Sequence, residues 1–125
     1  MDPRYESPDP EIDREHRRMC SLLQDISDKI SKKESVRDLL RELHKVGLDH
    51  FKNEENKMKD VNYPGYTEHK ESHTRLIDIF EEMMQRYTDS PIKNYIYYRF
   101  AESWLKTHFL GLDAQFKEFL NSRVN

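Results

Sequence analysis

Apolar residues recur every three or four positions along almost the whole of this 125-residue chain, and little interrupts them. Glycine occurs three times and proline five, with Pro3, Pro8 and Pro10 gathered near the N-terminus. So long a run of helical spacing restricts the chain to helices, because a half-buried strand alternates every second residue. The spacing predicts helices over about 11–33, 35–60, 65–87 and 91–110, with a short fifth piece over about 112–122. Asp9-Pro10 starts the first. Ser35 is expected to cap the second, with Asp38 three residues on as a weak capping-box partner. Ser90-Pro91 sets a capping residue before proline at the first helical position of the fourth. Short connections make neighbouring helices antiparallel. The expected fold is therefore all-α, an up-down-up-down four-helix bundle with an N-terminal arm over 1–10 and a short C-terminal helix, residues 1–125 forming one domain.

Charged residues make up 36% of the chain and the apolar set only 35%, where about 25% and 45–50% are usual. Glu, Lys and Arg are good helix formers and here fall mostly off the apolar faces, so they read as a solvated surface. The 21 bases and 24 acids sum to −3, without the basic excess that a nucleic-acid partner calls for. No run approaches the ~18 apolar residues of a membrane span, and Met1-Asp2-Pro3-Arg4 holds no apolar signal core, so a cytoplasmic location is expected. A single cysteine excludes an intramolecular disulfide and any multi-cysteine metal site.

The six histidines are the unusual element. Residues i and i+4 of a helix lie about 40° apart, so each histidine can be placed on a face. In the second helix Val36, Leu39, Leu43, Gly47, His50, Glu54 and Met58 form one stripe. Tyr66, His69, His73, Leu76, Phe80, Met83 and Tyr87 do so in the third. His108 shares a face with Tyr97, Ala101, Trp104 and Leu105, and His16 with Ile12, Cys20, Leu23 and Ile30. One inward histidine is most often a satisfied core residue. Two at i,i+4 form a common metal chelate, and five plus a carboxylate on four converging stripes need one partner that satisfies them all, which a metal does. His44 sits on the flank of its stripe, and Asp49 and Asp78 lie well away from theirs, so all three are expected outside the site. Asp113 is five residues past His108, which a regular helix turns away by about 140°; a break near Gly111 would return it. Cys20, one turn from His16, is read as a small apolar residue rather than a thiolate ligand.

The ordered set His16, His50-Phe51-Lys52-Asn53-Glu54-Glu55 with Met58, Tyr63-Pro64, His69-x-x-x-His73 and Trp104-x-x-x-His108-x-x-x-x-Asp113 resembles hemerythrin from about Ile12 to Phe116. Length and the Ile12-Asp13-x-x-His16 opening resemble the bacterial branch; the N-terminal tryptophan common there is absent, and Met19 replaces a frequent branched aliphatic. The resemblance implies two iron ions joined by an oxo or hydroxo bridge. His69, His73 and His108 would hold one, His16 and His50 the other, and Glu54 and Asp113 would bridge them. One iron is thereby left with an open position for reversible O2 binding. Met19, Phe51, Trp104 and Leu105 match the family's apolar O2 pocket. The function so implied is storage, delivery or local supply of O2 rather than catalysis. Two other classes stay open: an O2 or redox sensor signalling to a separate protein, and a di-iron detoxifying or redox enzyme. Ferritin-like oxidases carry Glu-x-x-His pairs, of which this chain has none.

Overall fold

The computed structural model describes residues 5–124, so the first four residues of the expected arm lie outside it. The order is α1 (Pro10–Ser31), α2 (Arg37–Asp60), α3 (Tyr66–Gln85), α4 (Pro91–Leu110) and α5 (Leu112–Val124), with no strand among the described residues. α1 packs on α2 and α4, α2 on α3, and α3 on α4, which closes the up-down-up-down ring, while α5 packs on α4. No helix of the described residues is long and apolar enough to cross a membrane.

Local chemistry sets the boundaries. Asp9 caps α1, its carboxylate accepting from the Glu11 and Ile12 amides at 2.9 and 3.2 Å. Ser90 caps α4 through the Lys93 amide at 3.1 Å. Both helices carry proline at the first position, whose missing N–H costs nothing there. α2 departs from expectation. It starts at Arg37 behind Val36, which has no side-chain acceptor. Ser35 Oγ accepts only a long bond from the Arg37 amide (3.4 Å), and the Val36 amide donates to the Tyr87 hydroxyl instead (3.2 Å). The connection between α3 and α4 therefore does the capping assigned to Ser35.

The stripes are also shifted by one residue in two helices. In α1 the fully buried line is Ile12, His16, Met19, Leu22 and Ile26, while Cys20, Leu23 and Ile30 are half-buried beside it. In α2 Leu40 is fully buried, not Leu39. Positions i+3 and i+4 straddle a helix face, and the partner helix decides which is covered.

The core has two parts. The larger runs through the bundle and includes Met19, Leu22, Ile26, Leu40, Leu43, Phe51, Phe80 and Trp104. A smaller plug of Ile12, Met58 and Phe116 closes one end. The start of α1, the end of α2, the start of α3 and the end of α4 meet at that end, and there the histidines lie.

Candidate metal centre

Four helices and the first turn of α5 each deliver ligand-type side chains to one point between the two apolar clusters. His16 comes from α1, His50 and Glu54 from α2, His69 and His73 from α3, His108 from α4 and Asp113 from α5. All seven are buried, His50 completely and Asp113 to 6% exposure. Asp113 reaches the point because α4 stops at Gly111. A Cβ there would stand 2.7 Å from the Thr107 carbonyl oxygen, so only glycine fits the break. At Gly47 a Cβ would meet the edge of the Trp104 ring at 3.2 Å, a close contact that a small shift of the ring relieves. The Trp104 indole N–H donates to the Leu76 carbonyl at 2.9 Å, which fixes the ring across the bundle.

The seven side chains fall into two overlapping groups whose donor atoms lie within 4.8 Å of one another: His16, His50, Glu54, His108 and Asp113, and Glu54, His69, His73, His108 and Asp113. Both carboxylates belong to both groups, and their two oxygens point apart. Glu54 Oε1 faces His69 Nε2 at 2.8 Å and His73 Nε2 at 3.1 Å, while Oε2 faces His50 Nε2 at 3.5 Å. Asp113 Oδ1 lies 3.0 Å from His69 Nε2, and Oδ2 lies 3.1 Å from His16 and 2.9 Å from His108. His16 and His50 bring their Nε2 atoms to 3.2 Å.

Six buried side-chain atoms, Glu54 Oε1, the Nε2 of His69, His73 and His108, and both Asp113 oxygens, approach one another in this way without hydrogen-bond alignment. Buried polar atoms left unsatisfied are costly, and so many at one point is the arrangement expected of ligands aimed at ions. Imidazole and carboxylate together suit a borderline transition metal such as iron better than magnesium or calcium.

Three histidines are oriented from behind. His50 Nδ1 is 2.9 Å from Glu15, His73 Nδ1 2.8 Å from Glu55, and His16 Nδ1 3.1 Å from the Tyr5 carbonyl. Each acceptor favours the Nδ1–H tautomer and leaves Nε2 free to bind a cation. Sequence reasoning assigned no role to Glu15, Glu55 or the Tyr5 carbonyl. Glu15 and Glu55 each adjoin a ligand position, a signal only once the helix phases are known.

Charge within the cluster is strongly coupled. Burial alone would lower the pKa of His69, but the Asp113 and Glu54 carboxylates outweigh it and raise it to about 9. Burial likewise works against His50, and Glu15 and Glu54 carry it above its usual value. Burial dominates at His108 and lowers it. For Asp113, burial opposes ionisation, yet His108, His16 and His69 hold it well below the usual carboxylate range. Glu54 is lowered in the same sense, against burial and the Asp113 charge, chiefly by His50, His69 and His73.

The remaining sequence candidates separate by position. His44 is outside the cluster, 3.1 Å from Glu81 on the surface, with its ring stacked on Phe80. Asp49 and Asp78 are exposed, and half-buried Cys20 belongs to neither donor group. Met19, Phe51, Trp104 and Leu105 are all buried in the larger core. Phe51 stacks on His73 with ring centres 4.0 Å apart and touches His108 and Trp104.

A helical bundle that turns five histidines and two carboxylates onto one dry point is built as a cation-binding protein. Residues 7–120 match the hemerythrin HHE cation binding domain. The chain belongs to the hemerythrin family. It is 26% identical over 106 residues to a myohemerythrin of Riftia pachyptila and equally to one of Theromyzon tessulatum, covering 85% of this chain and 80% of each of theirs. A hemerythrin from Sipunculus nudus is 33% identical over 81 residues, 65% of this chain and 63% of that one.

Proposed function

We propose that this protein binds O2 reversibly at a non-haem di-iron centre, as a carrier, store or local supply rather than an enzyme, with residues 1–125 acting as one domain in the cytoplasm. In this reading His69, His73 and His108 hold one iron, His16 and His50 the other, and Glu54 and Asp113 bridge the pair. The observation that carries it is the sharing of both carboxylates between two histidine groups: Glu54 presents Oε1 to His69 and His73 and Oε2 to His50, and Asp113 presents Oδ1 to His69 and Oδ2 to His16 and His108. His108 is common to both groups; its placement with His69 and His73 follows the family pattern.

Bound iron would supply the electrons that O2 borrows and returns. The chain's own residues do the rest. Glu15, Glu55 and the Tyr5 carbonyl hold three imidazoles in the ligating tautomer. The set has three histidines on one side and two on the other, so the His16–His50 side is one ligand short and is where a small molecule can bind. Met19, Phe51, Trp104 and Leu105 form a dry wall, which excludes the water and protons that would make O2 binding irreversible.

Elemental analysis of purified protein should give two irons per chain, and zinc or no metal after anaerobic iron loading would overturn the reading. The reduced protein should gain a visible band with O2 and lose it under vacuum. Rapid irreversible oxidation would remove the carrier role. His50→Ala should lose iron, while His44→Ala should keep it; the reverse result refutes the assignment.

A further inference from the structure

We infer that small solutes reach the ligand cluster through a fissure between the N-terminal arm and α5, and that Tyr5, Ser7 and Ala114 form its gate. A cavity of about 10 Å³, room for roughly one water, lies at this end of the bundle. Three members of the cluster, His16, Glu54 and Asp113, line it from inside. Tyr5, Ser7, Ala114, Lys117 and Leu120 line it from outside. These outer residues are all half-buried, so a single layer of side chains separates the cavity from solvent.

The opposite approach is much thicker. Met19, Phe51 and Leu105 are at most 1% exposed, and behind them stand Leu22, Ile26, Leu40, Leu43 and Phe80, all equally buried. A solute coming that way must cross most of the core. Opening the fissure asks less. The arm's contacts include the Tyr5 carbonyl on His16, Ser7 donating to Asp13 at 2.8 and 3.0 Å, Tyr5 tilted against Phe109 with ring centres 4.7 Å apart, and the Asp9–Lys57 ion pair at 2.8 Å. α5 begins only after the break at Gly111, and, packed on α4 and on the small plug that its own Phe116 forms with Ile12 and Met58, it is anchored on one face only. Segments with few buried contacts open locally at the lowest free energy.

The walls also suit a small solute of either character. Ile12, Phe109 and Phe116 offer an apolar side, and Ser7 and Lys117 a polar one. The class of ligand is therefore a diatomic or triatomic molecule, neutral or singly anionic. The cavity touches His16, which belongs to the histidine-poor side of the cluster, together with both carboxylates, and it reaches neither His50 nor the wall of Met19, Phe51, Trp104 and Leu105, so the fissure meets that side from its carboxylate end. This inference rests on the di-iron reading for its destination, though the route is a property of the chain alone.

Azide is the probe, because its binding to the ferric centre gives a visible band that stopped-flow can follow without turnover. Ala114→Leu fills the fissure and should slow azide association about tenfold, a barrier rise of roughly 1.4 kcal/mol, with a smaller change in Kd. Leu120→Ala opens it and should speed association several-fold. Leu22→Ala, which loosens the core route, should leave the rate unchanged. Unchanged rates in both fissure variants, or acceleration by Leu22→Ala alone, would overturn the proposal. A second readout needs no iron. In protein held diamagnetic (zinc-loaded, or as purified if it carries no metal), dissolved O2 should relax the Ala114 and Leu120 methyl signals more than those of Leu22 and Ile26. Equal relaxation overturns the route. Absence of iron overturns only the di-iron reading and leaves this measurement to decide the fissure.

Discussion

Replacing Gly111 with alanine tests how tightly the end of α4 is tied to the ligand cluster. The new Cβ would meet the Thr107 carbonyl oxygen at 2.7 Å, where real Cβ atoms essentially never come within 3.0 Å of a neighbour. Relief therefore requires a shift of at least about 0.3 Å, and about 0.7 Å for ordinary contact. That oxygen is backbone and already accepts the Gly111 amide at 3.1 Å, so it cannot swing aside as a side chain would. The shift falls on the first turn of α5, and Asp113 is two residues away. Its oxygens lie 2.9 to 3.1 Å from three histidine nitrogens. Metal sites tolerate ligand displacements of only about 0.2 Å. Gly111→Ala should therefore weaken metal binding roughly 10- to 100-fold, as loss of an orienting group does elsewhere. It should also destabilise the metal-free fold by about 1–2 kcal/mol, a fall in Tm on the order of 5 °C. Gly47→Ala is the control. Its Cβ meets the edge of the Trp104 side chain at 3.2 Å, and an alanine in mid-helix gains about 0.5–1 kcal/mol, so the two effects nearly cancel. Metal content by elemental analysis and thermal denaturation with and without metal decide the matter. Parental metal affinity in Gly111→Ala would refute the claim that the break positions Asp113.

Two further outcomes are independent of that geometry. In metal-free protein His69 has its pKa raised from 6.5 to about 9, so its stabilising contribution is complete below pH 6.5 and is lost as pH rises through about 9. Tm of the metal-free protein should fall over that window, whereas metal-loaded protein, with the ion in the proton's place, should stay level; a metal-free Tm that rises toward pH 9 would contradict this. Tyr87→Phe removes a hydroxyl that accepts the Val36 amide at 3.2 Å and donates to buried Asn94 at 2.8 Å, at the end of the bundle remote from the cluster. It should cost about 1–3 kcal/mol in denaturant unfolding and leave metal content unchanged.

The helices were legible because their apolar period is long and rarely broken, and α1 and α4 announce their starts with Asp9-Pro10 and Ser90-Pro91. Less was legible where the outcome depends on a second element. Nothing near Ser35 in the sequence shows that Tyr87, 51 residues past Val36, takes the Val36 amide. Asn94 reads as a surface residue of a first turn, yet it is buried because Tyr87 and Asp89 satisfy its amide group. The one-residue shifts to Met19 and Leu40 have the same origin, since a helix's own spacing defines a face only to within a residue.

The cluster was more legible than the core for a physical reason. Packing of apolar side chains is tolerant, so several registers of a stripe are acceptable and the sequence does not choose among them. Seven polar side chains buried at one point are not tolerant. A slip of one residue in any helix would swing its histidine by about 100° and strand it in the apolar core without a partner. Each ligand-type residue therefore had to appear at one position only, and the sequence carries that restriction openly as His50 with Glu54, His69 with His73, and His108 with a glycine-broken return to Asp113. The orienting groups lack this signature, because Glu15 and Glu55 are helix-surface acids like many others here, and the Tyr5 contact is made by a backbone carbonyl that any residue would supply.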